Sequence, residues 1–227
     1  ARSNVLHNKK KYVESAKYLK LANDLKLELK PVRSVNLIKK SGILLNYFSM
    51  TEINKKDHLN SPQSIFIVGC LRSGSTLLES ILSMNNAVDD LGETNILEES
   101  FSEAKNIDQA LSLAELYWQK LGNQNNKFNI TTNKNLYNYQ YVGIIVNQLP
   151  NSKIIHCFRH PLDNILSIYR AHFARANDYS SSLVHCTRVY LDQEEIMTQY
   201  KNRFRSKIYD LNYDSLVTNP NKEIKSL

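Results

Sequence analysis

The chain has 227 residues, 42% of them hydrophobic and 22% charged, with a formal net charge of +7. That is the balance of a globular protein, with enough sequence for one α/β domain and a smaller appendage. The positive charge suits a solvated surface or attraction to anionic ligands; without a basic-aromatic stripe or a helix-turn-helix pattern, it does not point to nucleic acid. The three cysteines, Cys70, Cys157 and Cys186, are odd in number and widely spaced. They argue against a disulfide framework or a zinc site and for a reducing, cytoplasmic setting. No apolar run is long enough to span a membrane, and no secretory segment is visible. The chain begins at Ala1 rather than Met, which leaves an upstream signal open.

In chain order, Lys9 to Leu29 has helical spacing, with Tyr12, Ala16, Leu19, Ala22 and Leu25 on one stripe. Tyr12, Ser15, Leu19 and Ala22 resemble the second helix of a tetratricopeptide repeat, although an ordinary amphipathic helix fits as well. Pro31 ends this helix. A second spans Ser34 to Tyr47, and a polar linker from Thr51 to Pro62 marks a domain boundary. The division is therefore a helical segment over 1–60, either the end of a repeat array or an ordinary helical appendage, and a second domain over 61–227.

From Ser64 onward, strands and helices alternate. Strands are expected at Ile65–Val68, Ala87–Leu91, Phe128–Thr131, Lys153–Phe158 and Lys207–Leu211. Helices are expected over Ser75–Asn85, Asn95–Lys105, Asp108–Leu121, Tyr139–Leu149, Leu162–Phe173 and Ser182–Arg203, with two more opening at Asp214 and Pro220. Pro161 sits in the first turn of its helix, where a missing N–H is harmless. This alternation predicts an α/β fold of P-loop type, a mostly parallel sheet between two layers of helices. The sequence stops at Leu227 within an expected helix, so the domain reads as truncated at its C-terminus.

The chemistry concentrates in two segments. The first is SIFIVGCLRSGSTLLE, Ser64 to Glu79: a buried strand, a glycine loop and a helix start. That geometry directs backbone N–H groups at a phosphate. The frame is Gly69, four residues, Gly74, Ser75 and Thr76, with Ser75 where a nucleotide triphosphatase carries its lysine. Arg72, Ser73, Gly74, Ser75, Thr76 and Leu77 form the candidate anion site. A simple helix cap is the alternative, but it needs neither three hydroxyls nor Arg72. The second segment, RHPLDNILS, places Arg159 just after a strand, at the carboxyl edge where open α/β sheets bind ligands. Ser167 lies on the next helix. An arginine and a hydroxyl there suit a second phosphate.

Together these segments resemble sulfotransferases that use 3′-phosphoadenosine-5′-phosphosulfate. VGCLRSGSTLLE is similar to the 5′-phosphosulfate loop of that family, with Leu71 and Ser75 as mild departures. FRHPLDNILS is similar to its 3′-phosphate segment, carried by Arg159 and Ser167. The branch it most resembles is the tyrosylprotein-type and tetratricopeptide-linked bacterial enzymes. The resemblance implies that Glu93, in LGETN, is the general base toward an acceptor hydroxyl. A strand ending there is expected beside the loop strand, which would aim the carboxylate at the transferred group; a helix-start carboxylate is the alternative. Lys134, in TTNKN, would stabilise the leaving phosphate oxygen, although Asn133 stands where the family carries aspartate. Tyr213, in NYDSL, resembles a tyrosine near the cofactor phosphates.

The implied reaction is in-line sulfonate transfer, with Glu93, Arg72 and Lys134 as its catalytic set and no metal. Three histidines, His156, His160 and His172, share a region without zinc-like spacing. Two rival readings remain, a P-loop kinase or nucleotide-binding protein, and a non-enzymatic repeat scaffold with a degenerate nucleotide site. The acceptor (a protein tyrosine, a carbohydrate or a small metabolite) is not legible. The helical N-terminus offers a surface for protein contacts.

Overall fold

A computed structural model describes residues 2–30, 32, 34–50, 62–106, 111–122, 130–171, 173 and 177–227. Most of the expected linker, the start of the Asp108 helix, Phe128 and His172 lie outside them. Strands β1 (Gln63–Gly69), β2 (Val88–Asp90), β3 (Ile130–Asn133), β4 (Ser152–Phe158) and β5 (Ile208–Asn212) form one sheet in the order β2-β3-β1-β4-β5. All four pairings are parallel. The expected α/β architecture is therefore the observed one.

β1 reads QSIFIVG because it is buried on both faces, as the centre of a parallel sheet requires. Its side chains alternate. Phe66 and Val68 join a large core with Ile144, Ile145, Met197 and Tyr200, whereas Ile67 packs on the other face with Leu78, Ile155, Cys157 and Leu211. Helices α5 (Ile96–Ala104), α6 (Leu113–Gly122), α7 (Val142–Gln148) and α9 (Leu183–Phe204) contribute to the first face. α4 (Ser75–Leu82) and α10 (Tyr213–Thr218) cover the second. Between α8 (Pro161–Arg170) and α9 lies a smaller cluster containing Cys70, Ile168, Cys186 and Tyr190. A last helix, α11 (Pro220–Ser226), follows α10.

The N-terminal residues form α1 (Arg2–Asn8), α2 (Tyr12–Leu29) and α3 (Ser34–Met50). A single helix starting at Lys9 was expected; instead the chain reverses at Lys10, whose φ of 59° ends the short α1. α3 shares the main core through Leu44 and Phe48, each at most 6% exposed. Ser34 bonds His185 at 2.7 Å and Ser41 donates to Asp192 at 2.7 Å, which fastens α3 along α9.

Three further expectations are corrected. β2 does not lie beside β1. β3 takes that place, and β2 is the outer strand, half-exposed and polar. β3 also runs two residues past the expected Thr131, because Thr132 and Asn133 are completely buried yet partnered by Glu79 and Asn138. Hydrophobicity alone ends that strand too early. The start of the helix expected from Tyr139 is a tighter 3-10 turn over Leu136–Tyr141, leading into α7.

Candidate active site

β1 ends at Gly69 (φ 144°), whose missing Cβ matters: one built there would lie 2.2 Å from the Cys157 carbonyl oxygen of β4. The loop that follows holds Arg72 at φ 67° and Gly74 at φ 95°, both left-handed. Alternating backbone hands of this kind make an N–H-lined concavity for anions. α4 begins at Ser75, and its first-turn N–H groups have no intrahelical acceptor. Ser73 Oγ is buried and hydrogen-bonds no other side chain or backbone group. Such an orphan hydroxyl at a helix start fits a phosphate oxygen. Ser75 is buried, whereas Thr76 and Leu77 point outward.

The sheet brings the second segment to the same edge. Gly69 and Cys157 are register partners, so the loop after β1 and Arg159 after β4 emerge side by side. Arg72 Nε donates to Ser167 Oγ at 3.3 Å, across 95 positions of sequence. Arg159 lies 5.0 Å over the ring of Tyr213 and 3.6 Å from Asp214 Oδ1, its own Nε buried without a hydrogen bond. Asp214 Oδ2 also accepts from the His160 backbone N–H at 2.9 Å, tying α10 to the loop before α8. Between these groups is a cleft of about 520 Å³, with Arg72, Arg159, Ser167 and Arg170 on its walls.

Lys134 and Glu93 form a separate cluster. Glu93 follows β2 and is largely exposed, with Lys134 Nζ 3.3 Å from its Oε1. Their backbones meet as well, since the Lys134 N–H donates to the Gly92 carbonyl at 2.9 Å. The other face of the ammonium is 3.3 Å from Glu79 Oε2. Lys134 and Glu79 are each 7% exposed. Burial raises the Glu79 carboxyl above its ordinary range, against the pull of Lys134. The Asn133 side-chain oxygen accepts from Asn138 Nδ2 at 3.0 Å and from the Asn135 N–H at 3.2 Å.

Arg72 thus meets Ser167 of the second candidate segment, and Lys134 joins Glu93. Glu79, Asp214 and Arg170 were not singled out in the sequence. For Glu79 a signal existed: it falls on the buried stripe Ser75, Leu78, Glu79 of an eight-residue helix, where an unpaired carboxylate would be costly.

A family model described as "Sulfotransferase family" matches residues 62–227, every site residue included. The chain belongs to the sulfotransferase family. It is also 28% identical, over 190 residues, to an uncharacterized protein of Aquifex aeolicus. That match covers 74% of this chain and 25% of the relative, so the chain spans about a quarter of that relative's length. Among solved structures, a shikimate kinase from Bacteroides thetaiotaomicron is similar at 16% identity with a TM-score of 0.43, covering 73% of this chain and 94% of the kinase. No described helix of this sulfotransferase-family chain is long and apolar enough to cross a membrane.

Proposed function

We propose that the chain transfers a sulfonate from 3′-phosphoadenosine-5′-phosphosulfate to an acceptor hydroxyl. The observation that carries this reading is the 3.3 Å contact from Arg72 to Ser167, which closes two phosphate-type segments on one cleft. A ligand with two separated phosphate groups matches that arrangement. The donor would supply the activated sulfonate; the chain binds, aligns and handles charge and a proton. The loop Arg72–Leu77 takes the 5′ end, with the Ser73 hydroxyl and the α4 first turn as donors. Arg159 and Ser167 take the 3′-phosphate, with Tyr213 packed beneath the guanidinium.

Glu93 accepts the proton of the attacking hydroxyl. The acceptor oxygen forms the new S–O bond as the bond to the 5′-phosphate breaks, and Lys134 stabilises charge on the departing oxygen. Buried Glu79 holds the ammonium at 3.3 Å, so Lys134 is bridged between the two carboxylates. Arg72 adds positive charge at the 5′ end when it swings from Ser167 onto ligand.

The acceptor is a hydroxyl compound such as a protein tyrosine, a carbohydrate or a small metabolite. The α1–α2 hairpin supports placement in the tetratricopeptide-linked branch. The three free cysteines accord with a reducing, cytoplasmic setting. Calorimetry with 3′,5′-adenosine bisphosphate tests the donor site, with ATP with and without magnesium as comparison and Arg72→Ala as control. Metal-independent bisphosphate binding that the variant loses is expected. Preference for magnesium-ATP would replace this reading with a kinase-like one.

A further inference from the structure

The cleft has two walls. One comprises Arg72, Arg159, Ser167 and Arg170, all within the family-matched residues 62–227; the other is supplied by Asn4 and Asn8 of α1, outside them. Asn4 and Asn8 are four residues apart and share one face of α1. Ser167 and Arg170, three apart on α8, share the face opposite. α1 also orients the arginine, because Arg170 Nη1 lies 3.2 Å from His7 Nε2.

α1 is fastened in this place rather than laid against it. Ser3 Oγ donates to the Ser15 carbonyl at 2.9 Å, and Ser15 Oγ donates back to the Ser3 carbonyl at 2.8 Å. Ser15 is 5% exposed. α2 is in turn tied to α8, where Asn23 Nδ2 donates to the Tyr169 carbonyl at 3.1 Å, and Asn23 is 4% exposed. Two buried polar residues on α2, spent on fixing α1 and α8, close a ring of contacts around the cleft mouth.

The charge of the cleft identifies what it takes. Three guanidinium groups and one carboxylate, Asp163, line it, and Asp214 lies 3.6 Å from Arg159 beside it, so cations outnumber carboxylates three to two. The net positive charge suits a phosphate monoester, and the carboxamide N–H groups of Asn4 and Asn8 add neutral donors at the rim. The volume lies within the roughly 300–1,000 Å³ usual for small-ligand sites. We propose that α1 is the outer wall of the 3′-phosphate site, with Asn4, Asn8 and Arg170 joining Arg159 and Ser167 around that phosphate. This rests on the donor assignment above. It makes the helical N-terminus part of nucleotide discrimination, not only a contact surface.

The test uses the full chain and two probes, 3′,5′-adenosine bisphosphate and adenosine 5′-phosphate, measured by calorimetry at low salt. Asn8→Asp sets a carboxylate against the phosphate and should weaken bisphosphate binding about 10-fold or more. Asn8→Lys should tighten it several-fold, a gain that misfolding cannot produce. Neither variant should change adenosine 5′-phosphate binding by more than about 2-fold. If both variants leave bisphosphate affinity at the wild-type value, α1 is not part of the site and the donor reading stands without it. Equal effects on both probes would also overturn the proposal, since α1 would not be reading the 3′-phosphate. A wild-type chain that binds the two probes equally would remove the donor reading and this wall together.

Discussion

The ring of Tyr213 occupies the space that a side chain on Gly74 would need: a Cβ built there lies 2.1 Å from Tyr213 Cδ2. The Arg159 guanidinium lies 5.0 Å from the centroid of the same ring. Gly74→Ala combines a left-handed φ of 95° with this clash. The expected loss is about 2–5 kcal/mol of stability, together with loss of nucleotide binding. Thermal melts check it. The double variant Gly74→Ala/Tyr213→Ala should recover part of the stability, because it removes the clash and leaves only the backbone cost.

Glu93→Gln should lower kcat by about 100- to 10,000-fold while sparing binding of 3′,5′-adenosine bisphosphate. Steady-state kinetics beside calorimetry separate the two effects. Unchanged turnover would remove Glu93 as the base.

Lys134→Met strands the Glu79 carboxylate, which is buried and whose ionised form burial already disfavours. A folded carboxyl raised above its unfolded value costs stability at high pH, and the cost fades as pH falls through the folded value. The variant should therefore lose about 3–5 kcal/mol near neutral pH and regain part of it in mild acid. Denaturant melts across pH show the trend. A second change, Glu79→Gln in the Lys134→Met background, should flatten it.

His156 is fully buried, between Asp210 Oδ1 at 3.1 Å and Gln193 Nε2 at 2.8 Å. Burial lowers its pKa below the ordinary 6.5. The unfolded chain therefore takes up the proton first, and stability falls as pH drops below 6.5. Asp210, paired with His156, Lys201 and Arg205, is held below its ordinary 3.8, so it adds a further loss as pH falls through that range. Melts at about pH 7.5 and about pH 5 should show a drop, and His156→Gln should shrink it.

The thiols should be inert in the native protein. Cys157 and Cys186 are pushed by burial up to about 12, and Cys70 higher still. A chromogenic disulfide reagent should label them only after denaturation, when the thiolate becomes accessible. Rapid native labelling of any of the three would contradict the packing.

Much of the site was legible because its signals are local. Gly69 and Gly74 bracket a loop between an apolar strand and a helix start, and Pro161 with Asp163 opens α8 where expected. Arg159 falls at a strand end for the same reason. Less was visible at Lys134, whose neighbours Asn133 and Thr132 read as a polar loop. They are strand residues: Thr132 Oγ1 donates to the distant Glu79, and the Asn133 side-chain oxygen accepts from Asn138. Arg170 and the α1 asparagines carried no signal, since surface polar residues at helical spacing are ordinary.

The sequence by itself determined the glycine loop between β1 and α4, the alternation of strands and helices and the parallel sheet, since backbone preference and hydrophobic period act over a few residues. The tertiary structure decided that β3, not β2, lies beside β1, that Glu79 backs Lys134, and that α1 folds over α8. Each of these depends on which distant surfaces can bury polar groups with their partners satisfied. That condition belongs to the whole fold and leaves no mark on any single segment.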